Sequence, residues 1–82
     1  MVNDAGIIET CKWRIASHVC GITVQWAPIG RERAKRIAAA CGWPRIPRAG
    51  YEREFQVARK SYYLKHDGGR FEIRRNPHGD AR

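Results

Sequence analysis

No apolar run in this chain approaches the roughly 18 residues a membrane-crossing helix needs, and no basic stretch leads into a hydrophobic one at its start. The sequence therefore reads as a soluble, cytoplasmic protein without a membrane partner. Cysteine is sparse and odd in number: Cys11, Cys20 and Cys41 lie in otherwise apolar segments without Cys-x-x-Cys spacing. That excludes a disulfide framework and a zinc site and leaves buried, reduced thiols. Glycine occurs, but no phosphate-cradling loop does, because Gly68 and Gly69 stand between two strand-like runs and not before a helix. Nucleophile motifs are missing, and His18, His66 and His78 fall in turns or the tail, where a general acid or base lacks an orienting partner. His66, beside Asp67, reads as a solvated turn residue or a phosphate contact. No catalytic residue, metal ligand or cofactor site follows from these patterns, which argues against an enzyme. Acid is also scarce, with 8 Asp and Glu against 16 Lys and Arg.

The base that remains is mostly arginine and is concentrated. Between Arg31 and Arg75 stand thirteen Lys or Arg against five acids, which accounts for the net charge of +8. Trp43, Tyr51, Phe55, Tyr62, Tyr63 and Phe71 run through the same stretch. Arginine offers a planar fork that matches phosphate oxygens and stacks on flat rings, so a polyanion with bases is the leading partner. A GC-rich genome also favours arginine codons. The weight therefore rests on the charge excess and not on the ratio of Arg to Lys.

At 82 residues the chain forms one small domain with a single modest core, 1–6 and 76–82 being too polar and small to pack. From Thr10 to Trp26 the pattern is a hairpin. Trp13, Ile15, Ile22, Val24 and Trp26 supply one apolar face, and Lys12, Arg14, Thr23 and Gln25 the other. Pro28 and Gly30 end that strand. Ala34, Ile37, Ala38 and Cys41 then recur at helical spacing, with Gly42 placed to cap. Pro44, Pro47 and Gly50 make a stiff connector. Tyr51 to Tyr62 fits two patterns, and the order of its charges, Glu52 and Glu54 before Arg59 and Lys60, favours a helix over a strand. Tyr62 to Arg74 is a hairpin turning at Asp67-Gly68-Gly69.

The expected class is α+β: an N-terminal β-hairpin, one or two helices and a C-terminal β-hairpin. With two helices the order resembles a winged helix-turn-helix, although the two-proline connector is longer than that family's tight turn. The resemblance implies a groove-reading helix carrying Arg53, Gln56, Arg59 and Lys60, and a wing flanked by Lys65 and Arg70. Arg45, Arg48 and Arg74 complete the candidate nucleic-acid-binding set. With a strand at 51–57 the alternative is a ββαβββ antiparallel sheet packed on one helix. Gly42 to Gly79 then resembles the HicA-type messenger-RNA interferase toxins in its helix ending near Gly-Trp and its strands joined by Asp-Gly. That family's catalytic histidine follows a glycine, whereas Gly50 here precedes Tyr51 and Glu52, so no nuclease role carries over.

The functional expectation is an accessory or regulatory nucleic-acid-binding protein of the phage or mobile-element kind, taking DNA ahead of RNA, with a homodimer allowed. The alternatives are a small module docking on an acidic protein and an RNA-binding toxin-like protein. The placement of Trp26, Trp43, Tyr62 and Tyr63 separates these readings: aromatics among arginines favour base stacking, and an apolar patch apart from them favours a protein partner. On sequence alone Arg33, Lys35 and Arg36 merely solvate a helix, leaving the contact surface to Arg53, Arg59, Lys60, Lys65 and Arg70.

Overall fold

The computed structural model describes residues 5–19 and 22–81, so the expectations for Cys20 and 1–4 lie outside it, as do those for the side chains of Ile22 and Val24. The elements are α1 (Ala5–Glu9), β1 (Arg14–Val19), β2 (Ile22–Ile29), α2 (Arg31–Ala40), β3 (Glu52–Val57), β4 (Lys60–Asp67), β5 (Arg70–Arg75) and a 3₁₀ turn (Pro77–Gly79). The strands form one antiparallel sheet in the order β1-β2-β5-β4-β3. The α+β class holds, in the ββαβββ arrangement, with α1 added in front. Among the described residues no helix is long and apolar enough to cross a membrane.

The winged-helix version is corrected at Tyr51 to Lys60. Residues Glu52–Val57 are a strand paired with β4 from Glu52↔Lys65 to Val57↔Lys60. As a helix the segment would set Phe55 and Val57 on different sides, whereas a strand buries both, at 4% and 5% exposure. Burying two such side chains yields about 1.5–3 kcal/mol each, against roughly 0.3–1 kcal/mol for charges suited to a helix dipole. Packing wins over the local electrostatic preference.

Helix α2 forms as its spacing requires, with Ala34, Ile37 and Ala38 buried. It ends in a Schellman motif: Gly42 takes φ of +75°, its N–H donates to the Ala39 carbonyl at 3.1 Å, and the Trp43 N–H donates to Ala38 at 2.9 Å. Between sheet and helix lie Ala27, Leu64, Phe71 and Ile73, joined by Ile7 and Cys11. A chain of rings closes the β3 side, Trp13–Tyr62 at 5.9 Å, Tyr62–Phe55 at 5.6 Å and Phe55–Trp43 at 6.3 Å.

Two further details depart from the sequence reading. β2 continues through Pro28, which sits opposite Glu72. β1 stops opposite Trp26, so that stretch of β2 is an edge on one side, where a missing N–H is tolerated. Residues 76–81 are tied down and not frayed. Asp80 meets the Arg75 guanidinium through two contacts of 2.6 Å and accepts the Ser61 N–H at 2.8 Å, while the Ala81 N–H reaches the Arg59 carbonyl at 2.9 Å. Gly79 lies against Ser61, Glu54 and Asn76 so closely that a Cβ there would come within 2.6–2.8 Å of their polar atoms.

Candidate nucleic-acid interface

Strand alternation sorts the charges. The core takes Ala27, Phe55, Val57, Leu64, Phe71 and Ile73, so their neighbours of opposite parity must stand on the open side of the sheet. Register then sets Arg14, Trp26, Arg74, Tyr63 and Glu54 in one row across the sheet, and Pro28, Glu72, Lys65 and Glu52 in the next. Asp67 and Arg70 pair at the β4–β5 tip. All four acids of β3, β4 and β5 are thus on this face, with Arg14, Lys65, Arg70 and Arg74 opposing them. Glu72 is held between Lys65 at 3.9 Å and Arg74 at 3.7 Å. At the far corner the Glu54 carboxylate accepts from Ser61 Oγ and Asn76 Nδ2, each at 2.8 Å.

The helix side is different. From Arg31 to Tyr51 there are six basic residues and one acid, Glu32, whose carboxylate lies 3.7 Å from Lys35. Arg53 joins them, because its parity turns it toward the helix layer. Its guanidinium lies 4.6 Å from the centroid of the Trp43 ring, a cation–π contact that fixes its plane. Arg45, Ile46, Pro47, Arg48, Tyr51 and Arg53 surround a hollow of about 310 Å³ with no carboxylate in its wall. Tyr51 is 64% exposed.

The hollow owes its shape to His66. The Gly50 N–H donates to the His66 carbonyl at 2.7 Å, the His66 N–H to Tyr51 at 3.0 Å, and the ring Nδ1 donates to the Pro47 carbonyl at 2.7 Å. The ring is 9% exposed and stacks on Phe71 at 4.2 Å. The expectation of a solvated or phosphate-touching His66 is therefore corrected: it is a buried brace that pins the connector to β4. Sequence could not reveal this, since the partners are backbone carbonyls far along the chain.

Of the nine sequence-derived candidates, the fold unites Arg45, Arg48 and Arg53. Gln56, Arg59 and Lys60 cluster at the opposite end of β3, where Gln56 Nε2 is already spent on the Gly79 carbonyl at 3.2 Å. Lys65, Arg70 and Arg74 stand on the open face among the acids. Two aromatics that the sequence reading named but left out of its contact set, Tyr51 and Trp26, belong to the hollows. Alternation from buried Ala27 places Trp26 on the open face, opposite to the hairpin expectation, with the Arg14 guanidinium 5.6 Å from its ring centroid. The cause is the pairing of β2 with β5, which sets Ala27 opposite buried Ile73 and so gives the core to the parity of Ala27, not to that of Trp26.

A larger hollow of about 700 Å³ crosses β1, β2 and β5 on this open face, with Trp26 and Arg74 in its wall. All four diagnostic aromatics lie beside arginines, but Tyr62 is in the core, with the Arg75 guanidinium 5.4 Å from its ring centroid, and only Trp26, Tyr63 and Trp43 are partly exposed. Among the described residues the exposed large apolar side chains, Ile15 and Tyr51, sit toward opposite edges of the sheet and make no patch. Cys11 and Cys41 are free thiols, and burial pushes both above the ordinary thiol range, which keeps them protonated and unreactive at neutral pH. Compared with known proteins, the chain matches no family model, no curated protein and no solved structure.

Proposed function

We propose that the protein is a cytoplasmic accessory or regulatory protein that binds nucleic acid, holding the phosphate backbone on its helix-and-connector side. The observation that carries this reading is the carboxylate-free hollow of Arg45, Arg48 and Arg53 around exposed Tyr51. Three guanidinium forks can take phosphate oxygens side by side, and a flat phenol beside them can meet a base or sugar. Helix α2 extends the field with Arg31, Lys35 and Arg36, which attracts a polyanion over a range of about 8–10 Å at physiological salt. Since 52–57 is a strand, no second helix inserts into a groove, and contact relies on backbone charge.

Affinity for 20-nucleotide duplex and single-stranded probes, measured between 50 and 200 mM salt, tests the reading. Replacing Arg45, Arg48 and Arg53 together with Gln is expected to lower affinity by about a hundred-fold at the low-salt end. It should also flatten the log–log salt slope by about three, one for each lost phosphate contact. A triple variant that keeps the parent slope, or a parent chain that binds neither probe at low salt, would sink the proposal.

A further inference from the structure

The open-face hollow has a composition unlike the arginine cradle. Its wall holds Trp26, the guanidinium groups of Arg14, Arg70 and Arg74, and the carboxylates of Asp67 and Glu72. Three cations against two anions leave it too weakly positive to gather a polyanion by itself. At about 700 Å³ it is, however, within the range of small-molecule sites. Trp26 supplies a flat wall whose present cover is Arg14, at 5.6 Å from the ring centroid. A nucleobase stacks on indole more strongly than an exposed guanidinium does, so a base can take that place and release Arg14 to a phosphate.

Two polar details narrow the occupant. The Arg74 Nε–H is shielded from water and has no hydrogen-bond acceptor, its nearest carboxylate oxygen on Glu72 lying 3.7 Å away, beyond hydrogen-bond range. That shielded N–H is out of a ligand's reach as well, but the Arg74 side chain is 39% exposed, so donors of its guanidinium other than Nε–H are what an oxygen-rich ligand can use. Glu72 in turn is fixed between Lys65 and Arg74 with 20% of its side chain exposed, which makes it a positioned acceptor. A carboxylate accepts from amino and imino edges of bases and repels carbonyl edges. Guanine presents two adjacent donors on its pairing edge; uracil and thymine present one N–H between two oxygens.

We propose that this hollow is a nucleotide subsite that takes one unstacked guanine nucleotide of a single strand, with the base on Trp26, its donor edge toward Glu72 and its phosphate toward Arg14 and Arg74. The inference rests on the proposed nucleic-acid binding, since the cradle supplies the strand and the hollow reads it. The two sites are joined by the β4–β5 tip: Asp67 and Arg70 line the hollow, and the adjacent His66 carries the connector. A base paired inside a duplex cannot reach the indole face, so the site discriminates for single strands.

The full chain is titrated with guanosine 5′-monophosphate, uridine 5′-monophosphate and inorganic phosphate while the indole N–H signals of Trp13, Trp26 and Trp43 are followed by NMR. The guanine nucleotide should move Trp26 at concentrations at least ten-fold below those needed with the uracil nucleotide or phosphate. Trp13 serves as the unmoved reference. Glu72→Gln should erase the preference while leaving stacking, and Trp26→Leu should weaken a single-stranded probe containing one guanine by about ten-fold but leave the duplex untouched. Equal response of Trp26 to all three ligands, or a response at Trp43 with none at Trp26, overturns the subsite and leaves the cradle standing. Loss of strand binding in the triple arginine variant is a separate readout that the Trp26 and Glu72 variants do not share. If Trp26→Leu fails to fold, Glu72→Gln decides alone, and a persisting guanine preference in it refutes the assignment.

Discussion

The two sides of the sheet differ both in how much arginine and lysine they hold, four residues against seven, and in what opposes it. On the open face Arg14, Lys65, Arg70 and Arg74 meet Glu52, Glu54, Asp67 and Glu72. On the helix side Arg31, Arg33, Lys35, Arg36, Arg45, Arg48 and Arg53 meet Glu32 of α2 and Glu9 of α1. The cause is packing and not selection of each charge separately. Phe55, Val57, Leu64, Phe71 and Ile73 claim one strand parity for the core, and every acid in β3, β4 and β5 has the other. A net charge spread along the sequence thus becomes a polarised molecule, and polarity of this kind orients a polyanion even where no side chain reads a base.

The most direct way to break that comparison is to make the balanced face basic. Glu52→Gln with Asp67→Asn removes two exposed carboxylates that carry none of the hydrogen bonds holding the sheet. If the compensating carboxylates limit how strongly the open face holds the strand, the double variant should bind single-stranded probes about ten-fold more tightly at 50 mM salt. Its salt slope should steepen by about one. Unchanged affinity and slope would mean that the open face lies outside the reach of the bound strand.

A second test separates acids that shape the field from acids that hold the fold. Asp80 belongs to the latter. The Arg75 guanidinium and the Ser61 N–H hold its carboxyl at about 2, below the ordinary 3.8. An unfolded chain binds that proton near pH 4, so the stabilising effect is complete above that value. It disappears as pH falls from about 4 through about 2. Asp80→Asn should therefore be less stable at pH 7 in urea unfolding and should lose much of the difference between native and variant by pH 2. Nucleic-acid affinity should stay within two-fold. A variant that tracks the parent at all pH values would remove Asp80 from the structural set.

The two hairpin turns show how much of this was legible. Gly68 and Gly69 take φ of +56° and +82°, the positive values a two-residue turn between antiparallel strands requires, and their identity announces the turn. Ala58 and Arg59 make the same kind of turn at +51° and +68°, from residues that normally avoid it. With no glycine to mark the break, Tyr51 to Lys60 kept a helical reading, and with it went the groove-inserting role of Arg53, Gln56, Arg59 and Lys60. The class, α2 and the C-terminal hairpin were readable because period and turn chemistry agreed. In the site, Arg45, Arg48 and Arg53 were identifiable by charge, but their union depends on the His66–Pro47 hydrogen bond, a contact across nineteen positions. Trp26 was misplaced because its face is set by the long-range pairing of β2 with β5, which buries small Ala27 and turns the larger indole outward.

The strained turn also supplies the smallest and cleanest test of the polarised picture. Ala58→Asn with Arg59→Gly restores a sequence suited to positive φ, and relief of two unfavourable residues should raise stability by about 1 kcal/mol, less any added freedom of the unfolded chain. The Arg59 carbonyl that accepts the Ala81 N–H is backbone and survives the change. One positive charge is lost, but from the end of β3 remote from Arg45, Arg48 and Arg53, where screening over more than a Debye length leaves it little influence on the cradle. Binding should stay within two-fold of the parent while Arg53→Gln alone costs about five-fold or more, so the two arginines that helical spacing would set on one surface part company. Equal losses from Arg53→Gln and Arg59→Gly would show that the bound strand runs the length of β3, and the contact surface would then have to be redrawn along that edge.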